Sequence, residues 1–532
     1  MRSRFEALAQ GLLLLAGFVG AGFSYAGAVL AGTSWDAPFD TRAAEAFLNL
    51  PADLTLREAY EYIPQISEYY GVLFFQFLGV IRGIARQPDF LTSENPAAYL
   101  WQGIANTTLA LACMLIFSIA IGYALRSTLV ASATWATVMT LPLWVGMSHV
   151  NFKDMPVACG LAVLSAGLLF ANRRNQTGHR AIMLLALTLI ALGSFLAIGT
   201  RVGAIVLVLV LSGLTCMWWL LLGLRRRNLV QSLETTLLVV LGLGIAVMLL
   251  WLTNPLAQIN PAGLIIDSIR VSGSFPVDFA VRVAGADVAT TNVPPWYVPA
   301  WVAAQMPLAL WVWLLTILVL LARAIKNRQL SRLVDGGNYM APILIQAFVV
   351  PLAIVVSGAT LYDGIRHLLF AVPALIAVLV ALLCGLMTSA RGGTQARTAL
   401  VVFLLAGVTL NVFAVIRWFP YSYAYVNPIA GARAPQQDWE LDYWGVSTRE
   451  GVERLQAKGA RQVMVLPNAD MAIPYGGVNF DSQRTAEDKP MGVYVFTRFG
   501  AELPNEQQCT DTFTIERDRQ ILGRGGLCPT GP

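Results

Sequence analysis

The sequence predicts an all-α polytopic membrane protein with a small C-terminal α/β domain. Apolar residues make up 56% of the 532 residues and charged residues only 13%, whereas about a quarter of a soluble protein is charged. The apolar residues form continuous runs rather than short alternating segments, which argues against a transmembrane barrel. One polar block, residues 418–532, predicts the α/β domain.

Eleven apolar runs are long enough to cross a bilayer as helices, a length of roughly 17–25 residues. They lie near residues 11–31, 103–125, 128–147, 155–171, 181–199, 202–223, 233–253, 300–322, 340–359, 367–388 and 398–417. Residues 1–417 therefore form the predicted transmembrane domain, with long outer segments at 32–100 and 254–299. Within the first of these, run 68–87 is apolar but carries arginines towards its end. We predict a helix in the membrane interface there rather than a crossing.

Lys and Arg near the span ends predict the orientation, because cytoplasmic loops carry an excess of them. With the N-terminus inside, the inner segments hold 15 basic residues and few acids. The outer loops before the tail hold nine basic residues and more acids. An odd number of spans places residues 418–532 outside. The long first apolar run predicts an uncleaved signal anchor rather than a cleaved signal peptide.

Two of the six cysteines, Cys509 and Cys528, lie in the predicted exterior tail. An oxidising compartment permits a disulfide between them, and two unpaired thiols are the alternative. The other four cysteines lie in apolar runs, where packing is the expected role.

The unusual polar residues all fall on the predicted outer face. Charged groups are costly among apolar runs, so each requires an explanation. The set comprises Asp36 and Asp40 after the first span, His149, Asn151, Lys153 and Asp154 before the fourth, Arg201 after the fifth, and Tyr362, Asp363, Arg366 and His367 before the tenth. Acids and bases that converge at one face predict an active site. A transporter more often places its charges near the midplane on broken helices.

Each of these groups also has a purely structural interpretation. Asp36 and Asp40 fit solvated loop acids. Lys153 and Asp154 fit a local ion pair or a helix cap. Arg201 fits a side chain that extends from a span to the interface. Both interpretations stay open at the level of sequence.

The chemistry that suits the set is group transfer from an anionic lipid. A carboxylate can deprotonate an acceptor hydroxyl as general base, while Arg and Lys hold a phosphate leaving group. The sequence contains no Walker loop, dinucleotide fingerprint or HExxH motif, so ATP, NAD and zinc-protease chemistry have no support. We expect membrane lipid as a partner and no nucleic acid. A transporter or flippase for lipid-linked sugar is the alternative function.

Seven short motifs follow one another along nearly the whole chain. They are "SWDAPFD" after the first span, "EYYG" at 68–71, "NFKDMPVA" at 151–158, "GTRVG" at 199–203, "NVPPWYVPAW" at 292–301, "LYDGIRHLLF" at 361–370 and "WELDYWGVSTREGVERL" at 439–455. As an ordered set they resemble the GT-C superfamily of polyprenyl-phosphate-sugar-dependent glycosyltransferases. More narrowly, the chain resembles bacterial family 39 members, akin to protein O-mannosyltransferases and lipid A aminoarabinose transferases.

The resemblance implies an inverting transfer at the periplasmic face of a bacterial inner membrane. The donor would be a polyprenyl-phosphate sugar and the acceptor a glycan, lipid or protein. By the same resemblance, Asp36 matches the first-loop catalytic acid and Asp154 the acid of the second outer loop. The residues expected at the donor phosphate and substrate are Lys153, Arg201, Arg366, His367, Tyr362, Tyr69 and Asp40.

One departure from the family bears on cofactors. Many relatives have Asp-Glu where this chain has Asp36-Ala37. Some superfamily members use a divalent ion, and the missing second acid weakens the case for a first-loop metal pair. No cofactor is assigned from the sequence. In "ELDYWG", Glu440 and Asp442 are expected to order the tail against the membrane domain, with acceptor binding as the alternative.

Overall fold

The protein is a multi-pass helical membrane protein whose C-terminal part contains a four-stranded sheet. The computed structural model describes residues 2–51, 53–63, 71–78, 96–177, 180–273, 275, 278–327, 338–389, 393–432, 438–467, 471, 474–475, 491–497, 502–503 and 506–528. Within these ranges, nine helices are long and apolar enough to cross a membrane. The predicted fold class is thereby confirmed.

The helices in the N-terminal half alternate long spans with short connecting elements. They are α1 (Arg2–Leu30), α2 (Ala37–Leu48), α3 (Leu56–Tyr62), α4 (Pro96–Leu125), α5 (Thr128–Met139), α6 (Pro142–Val150), α7 (Asp154–Thr177), α8 (Arg180–Thr200), α9 (Ile205–Arg225) and α10 (Leu229–Thr253). After these come α11 (Pro255–Ile259), α12 (Pro261–Gly273), α13 (Tyr297–Gln305), α14 (Leu308–Lys326), α15 (Ala341–Val356), α16 (Ala371–Ser389), α17 (Gly393–Trp418) and α18 (Thr448–Ala457).

Two of the eleven predicted runs differ from simple spanning helices. Run 128–147 is the pair α5 and α6, which meet at an angle of 62°. Pro142 begins α6, and proline cannot continue the hydrogen-bond ladder of a preceding helix. Run 340–359 is the shorter helix α15, interrupted by a π-helical segment at Ile345–Val349.

A third run, 300–322, has shifted bounds, because Pro307 separates α13 from the spanning helix α14. With these adjustments, every predicted run corresponds to apolar helix in the structure. The predicted interfacial helix at 68–87 lies mostly outside the described residues. Residues 73–78 are helical, and Tyr69 falls outside the described ranges.

The outer surfaces of the spanning helices are apolar. On α10, for example, Leu237 is 69% exposed and Val240 is 57% exposed. Side chains of this kind on an exposed helix face are unfavourable in water and suit contact with lipid tails. The bundle interior is also apolar, with Trp135 and Trp144 fully buried near the bend between α5 and α6.

The C-terminal part forms a mixed sheet. Its strands are β3 (Val463–Leu466), β4 (Met491–Phe496), β5 (Thr510–Arg517) and β6 (Gln520–Cys528), in the order β3-β4-β6-β5. Strand β3 pairs parallel with β4, and the other pairs are antiparallel. Helix α18 packs on this sheet, and its Gly451 lies directly against the ring of Tyr494. The predicted α/β character of the polar block at 418–532 is thus present in the structure.

A small hairpin joins the second long segment to the tail. Strands β1 (Ala280–Val283) and β2 (Ala286–Ala289) pair antiparallel. Val283 forms a bridge with Trp439, and the Glu440 N–H donates to the Arg282 carbonyl at 3.1 Å. The start of the "WELDYWG" motif is therefore fixed by backbone pairing.

Cys509 and Cys528 form a disulfide that ties the start of β5 to the end of β6. We expect the Cys509→Ser, Cys528→Ser double variant to lose about 3 kcal/mol of stability, because a cross-link over 19 residues restricts the unfolded chain. The unfolding midpoint in detergent, compared with and without reductant, would measure it. An unchanged midpoint, or a wild type insensitive to reductant, would contradict the expectation.

Candidate active site

Asp36 lies where the chain leaves α1 and turns into α2. It occupies the position before the first residue of α2, and its carboxylate does not cap that helix. Backbone bonds fix this stretch to the C-terminal part: Gly32 N–H donates to the Val446 carbonyl at 3.0 Å, and Trp35 N–H donates to the Trp444 carbonyl at 2.9 Å. The backbone around Asp36 is therefore fixed, and its carboxylate makes its contacts elsewhere than at the N-terminus of α2.

Lys153 and Asp154 are positioned by Asn151. The Asn151 side-chain oxygen accepts from the N–H groups of Lys153 at 3.2 Å and Asp154 at 2.7 Å. It thereby satisfies donors at the start of α7 that have no partner within the helix. Its amide nitrogen donates to the Asp154 carboxylate at 3.0 Å. The helix cap expected here is provided by Asn151, and the Lys153 and Asp154 side chains are left for other contacts.

Arg201 reaches Asp154 because α7 and α8 pack closely side by side. A Cβ on Gly193 would lie 2.4 Å from the Leu164 backbone nitrogen, so only glycine allows this approach. The N-terminal end of α7 and the C-terminal end of α8 then coincide. Arg201 Nη2 lies 3.0 Å from the Asp154 carboxylate, and this ion pair replaces a simple extension of Arg201 to the interface.

The 362–367 turn is shaped by two left-handed residues. Asp363 has a φ of 57° and Gly364 a φ of 72°, conformations that Asp tolerates and Gly favours. The Gln305 side-chain oxygen accepts from the Ile365 N–H at 3.2 Å. This geometry brings the Asp363 carboxylate within 3.2 Å of Arg366 Nη2.

These elements join seven charged side chains into one ion-pair network. Lys153 Nζ lies 2.8 Å from Asp40 and 3.6 Å from Asp36, and Arg366 Nη1 lies 3.7 Å from Asp36 and 3.6 Å from Asp154. With the Arg201 and Asp363 pairs, the network contains four carboxylates and three cations. Lys153 thus pairs with the acids after α1, whereas Asp154 pairs with two arginines. The simple local Lys153–Asp154 pair is not the arrangement in the structure.

Burial distinguishes the four carboxylates of the network. The side chains of Asp40, Asp154 and Asp363 are at most 7% exposed, whereas that of Asp36 is 33% exposed. Arg366, which contacts three of these acids, is only 3% exposed. The Asp36 carboxylate is therefore the accessible one of the network, whereas the Arg366 cation that it contacts is buried.

The environment changes the protonation of several site groups. Burial raises the pKa of Asp40 to about 6, although Lys153 opposes this. Burial and the nearby Arg366 lower the pKa of His367 to about 3, so this imidazole is neutral at pH 7. Burial alone would lower the pKa of Arg366, but Asp363 and its other neighbours hold it above the ordinary value.

Aromatic rings surround the Arg366 guanidinium. Its central carbon lies 4.5 Å from the centre of the Tyr362 ring and 5.1 Å from that of Trp444. His367 packs edge-on against Tyr362 at 4.8 Å. Contact with the face of an aromatic ring favours a cation electrostatically.

All sequence-predicted site residues that the structure describes lie in or against the network; Tyr69 falls outside the described ranges. Sequence reasoning did not assign a role to Asp363 or Trp444. Both residues lie in motifs quoted above, "LYDGIRH" and "ELDYWG". In the first of them, Asp-Gly indicates a left-handed turn. Which residue of the tail would meet Arg366 depends on long-range packing that the sequence does not specify.

A cavity of about 440 Å³ is lined by residues of α1, α4 and α18 and of the segments that follow α1 and α6. Ala28, Val29 and Leu100 supply apolar wall from α1 and α4, and Arg449 and Gln456 supply polar wall from α18. Thr33, Ser34 and Phe152 also line it. Ser34 is two residues from Asp36 and Phe152 is adjacent to Lys153 in the chain. A smaller pocket of about 20 Å³ is lined by Asp40 and Lys153 themselves.

The carboxylates do not form a ready metal site. Within the described ranges, no group of three or more His, Cys, Asp or Glu side chains is arranged to hold a metal ion. Each of the four network carboxylates instead contacts a Lys or Arg. A divalent ion would have to displace those cations, so the residues present do not fit one.

The raised pKa of Asp40 predicts a pH dependence of stability. A buried acid with a pKa of about 6, against 3.8 ordinarily, favours folding while protonated. This contribution, about 3 kcal/mol, is fully present below about pH 4 and is lost as the pH rises through 6. We expect Asp40→Asn to flatten the profile of unfolding midpoint between pH 4.5 and pH 8. The exposed Asp53→Asn is the control, and an unchanged slope in Asp40→Asn would refute the expectation.

No protein-family model matches the chain, and no curated protein matches it. Among solved structures, it is similar to ArnT from Cupriavidus metallidurans bound to undecaprenyl phosphate, with 12% identity, a TM-score of 0.43 and coverage of 98% of both chains. The same protein in the apo state shares 13% identity with the chain and gives a TM-score of 0.46, with coverage of 97% of this chain and 98% of that one. It is also similar to the Archaeoglobus fulgidus oligosaccharyltransferase, with 14% identity, a TM-score of 0.47, and coverage of 87% of this chain and 64% of that one.

Proposed function

We propose that this protein is a glycosyltransferase that moves a sugar from a polyprenyl-phosphate donor to an acceptor hydroxyl. The observation that carries the proposal is the pairing of one accessible carboxylate, Asp36, with Lys153 and the buried Arg366. A base and two cations at one point are what transfer from a lipid phosphate requires. The position of the network at the ends of α1, α7 and α8 supports a donor embedded in lipid.

In the proposed reaction, Asp36 accepts the proton of the acceptor hydroxyl. The acceptor oxygen attacks the anomeric carbon and forms the new glycosidic bond with inversion of configuration. The bond from that carbon to the phosphate oxygen breaks, and the polyprenyl phosphate leaves with the electron pair. The phosphate gains negative charge in this step, and Lys153 and Arg366 stabilise it.

Binding of the donor would also activate the base. Before the donor binds, Lys153 and Arg366 contact the Asp36 carboxylate. A phosphate that draws Lys153 towards itself reduces the hold of this cation on the Asp36 carboxylate. Proton abstraction would then become easier when the leaving group is in place. Asp154 remains paired with Arg201 and orients Arg366.

The proposed orientation places this network on the outer face of a bacterial inner membrane, with the N-terminus in the cytoplasm. Support comes from the excess of Lys and Arg in the opposite loops. The 440 Å³ cavity lined by Ser34 and Phe152 is the proposed approach for the acceptor, which we take to be a glycan, lipid or protein of the cell envelope.

The test is a reaction of the purified protein in nanodiscs. Polyprenyl-phosphate sugars with different radiolabelled headgroups would be supplied together with a cell-envelope extract as the source of acceptor. We expect free polyprenyl phosphate and a new glycosidic product in equal amounts. In sealed liposomes, movement of intact labelled lipid across the bilayer without bond formation would instead identify a flippase and refute the proposal.

A further inference from the structure

Trp444 connects the C-terminal part of the chain to two members of the network at once. Its ring lies 5.1 Å from the central guanidinium carbon of Arg366. Its backbone carbonyl accepts from the N–H of Trp35 at 2.9 Å, and Trp35 directly precedes Asp36. We propose that Trp444 is a positioning residue that fixes Arg366 and Asp36 relative to each other for recognition of the lipid phosphate. This inference rests on the proposed function.

Arg366 needs such support because its side chain is long and contacts three carboxylates. The guanidinium nitrogens lie 3.2 to 3.7 Å from Asp363, Asp154 and Asp36, and two of these distances exceed ordinary hydrogen-bond length. The rings of Tyr362 and Trp444 restrict the plane of the group. Tyr362 belongs to the same turn as Arg366. Of the two rings, that of Trp444 is therefore the one that links the guanidinium to a different part of the chain.

The loop that carries Trp444 is itself tightly held. Asp442 is fully buried and accepts from the N–H groups of Val446 at 2.9 Å and Ser447 at 3.2 Å. The hydroxyls of Tyr423 and Ser447 also donate to it. A left-handed glycine, Gly445, closes the turn. The loop is therefore held by contacts outside the network, and it can keep the Trp444 ring in a fixed position against Arg366.

The same segment offers a matched control in Trp439. That residue is also buried, at 7% exposure. Its ring packs on Trp301 at 4.8 Å, and its indole N–H donates to the Ala430 carbonyl at 3.1 Å. Replacing Trp439 therefore removes a buried indole of the same motif from contacts other than those with Arg366.

The experiment measures binding of undecaprenyl phosphate to the full chain in nanodiscs by native mass spectrometry. We expect Trp444→Leu to weaken binding about tenfold, the size of effect that loss of a desolvated cation–π contact produces. Trp444→Phe keeps an aromatic face and should stay within about threefold of wild type. Trp439→Leu should lower the unfolding midpoint and leave the affinity unchanged.

Three results would overturn the inference. They are wild-type affinity in Trp444→Leu, a loss in Trp444→Phe as large as in Trp444→Leu, or an equal loss of affinity in Trp439→Leu. The binding arm contains neither sugar donor nor acceptor. A wild type that binds the lipid phosphate but transfers no sugar would therefore contradict the proposed function. The comparison of binding among the Trp444 and Trp439 variants would still test the role of Trp444.

Discussion

Asp36→Asn is expected to reduce sugar transfer by a factor of about 10² to 10⁴, the range that a positioned general base contributes. The amide is close in size to the carboxylate but cannot accept the hydroxyl proton. Because Lys153 and Arg366 keep their other partners, Asp40, Asp154 and Asp363, the fold and the phosphate contacts should persist. Initial rates with saturating donor would measure the loss, and binding of undecaprenyl phosphate should stay within a few-fold of wild type.

Asp53→Asn serves as the control for this prediction. Asp53 lies in the same segment between α1 and α4 and is exposed, so its replacement should leave transfer unchanged. If Asp36→Asn transferred sugar at the wild-type rate, another residue would have to be the base. The same variant losing lipid-phosphate affinity as strongly as rate would assign Asp36 to binding instead.

Arg366→Met is expected to abolish donor binding and to destabilise the fold by about 3–5 kcal/mol. Methionine preserves much of the side-chain bulk but leaves Asp363 and Asp154 buried with less compensating charge. Asp363 is 1% exposed and Asp154 6% exposed, so neither can recover its hydration. The unfolding midpoint and the affinity for undecaprenyl phosphate should fall together, which distinguishes this variant from Asp36→Asn.

Two further variants make the Arg366 result specific. Arg366→Lys keeps a charge but cannot contact several carboxylates and two rings with one planar group, so we expect partial stability and weak donor binding. Arg270→Met removes an exposed arginine 3.7 Å from Asp267, and exposed pairs contribute little. Equal effects of Arg366→Met and Arg270→Met would contradict a special role for the buried cation.

Much of the membrane fold could be predicted from the sequence, because apolar length and charge placement directly reflect the bilayer. Two of the three runs that deviate do so at prolines, Pro142 and Pro307. How such a break is resolved depends on neighbouring helices. The sequence therefore indicates that a break occurs without predicting the 62° bend between α5 and α6.

Most members of the ion-pair network stand out in the sequence, but their pairing does not. Asp36, Lys153 and Arg366 stand out because charge beside apolar runs is rare, and topology places them at one end of the bundle. Their partners depend on packing between distant segments. Adjacent Lys153 and Asp154 contact different residues. Lys153 pairs with the two acids after α1, whereas Asp154 pairs with two arginines. The ring of Trp444 reaches Arg366 only through the folded C-terminal part.

The measurement that tests the central claim most directly is a structure of the protein in nanodiscs with undecaprenyl phosphate. The geometry predicts phosphate density within hydrogen-bond reach of Lys153 and Arg366, beside the Asp36 carboxylate. Phosphate density at the opposite end of the bundle, for example beside the three arginines at 225–227 at the end of α9, with the Asp36 network unchanged, would contradict it.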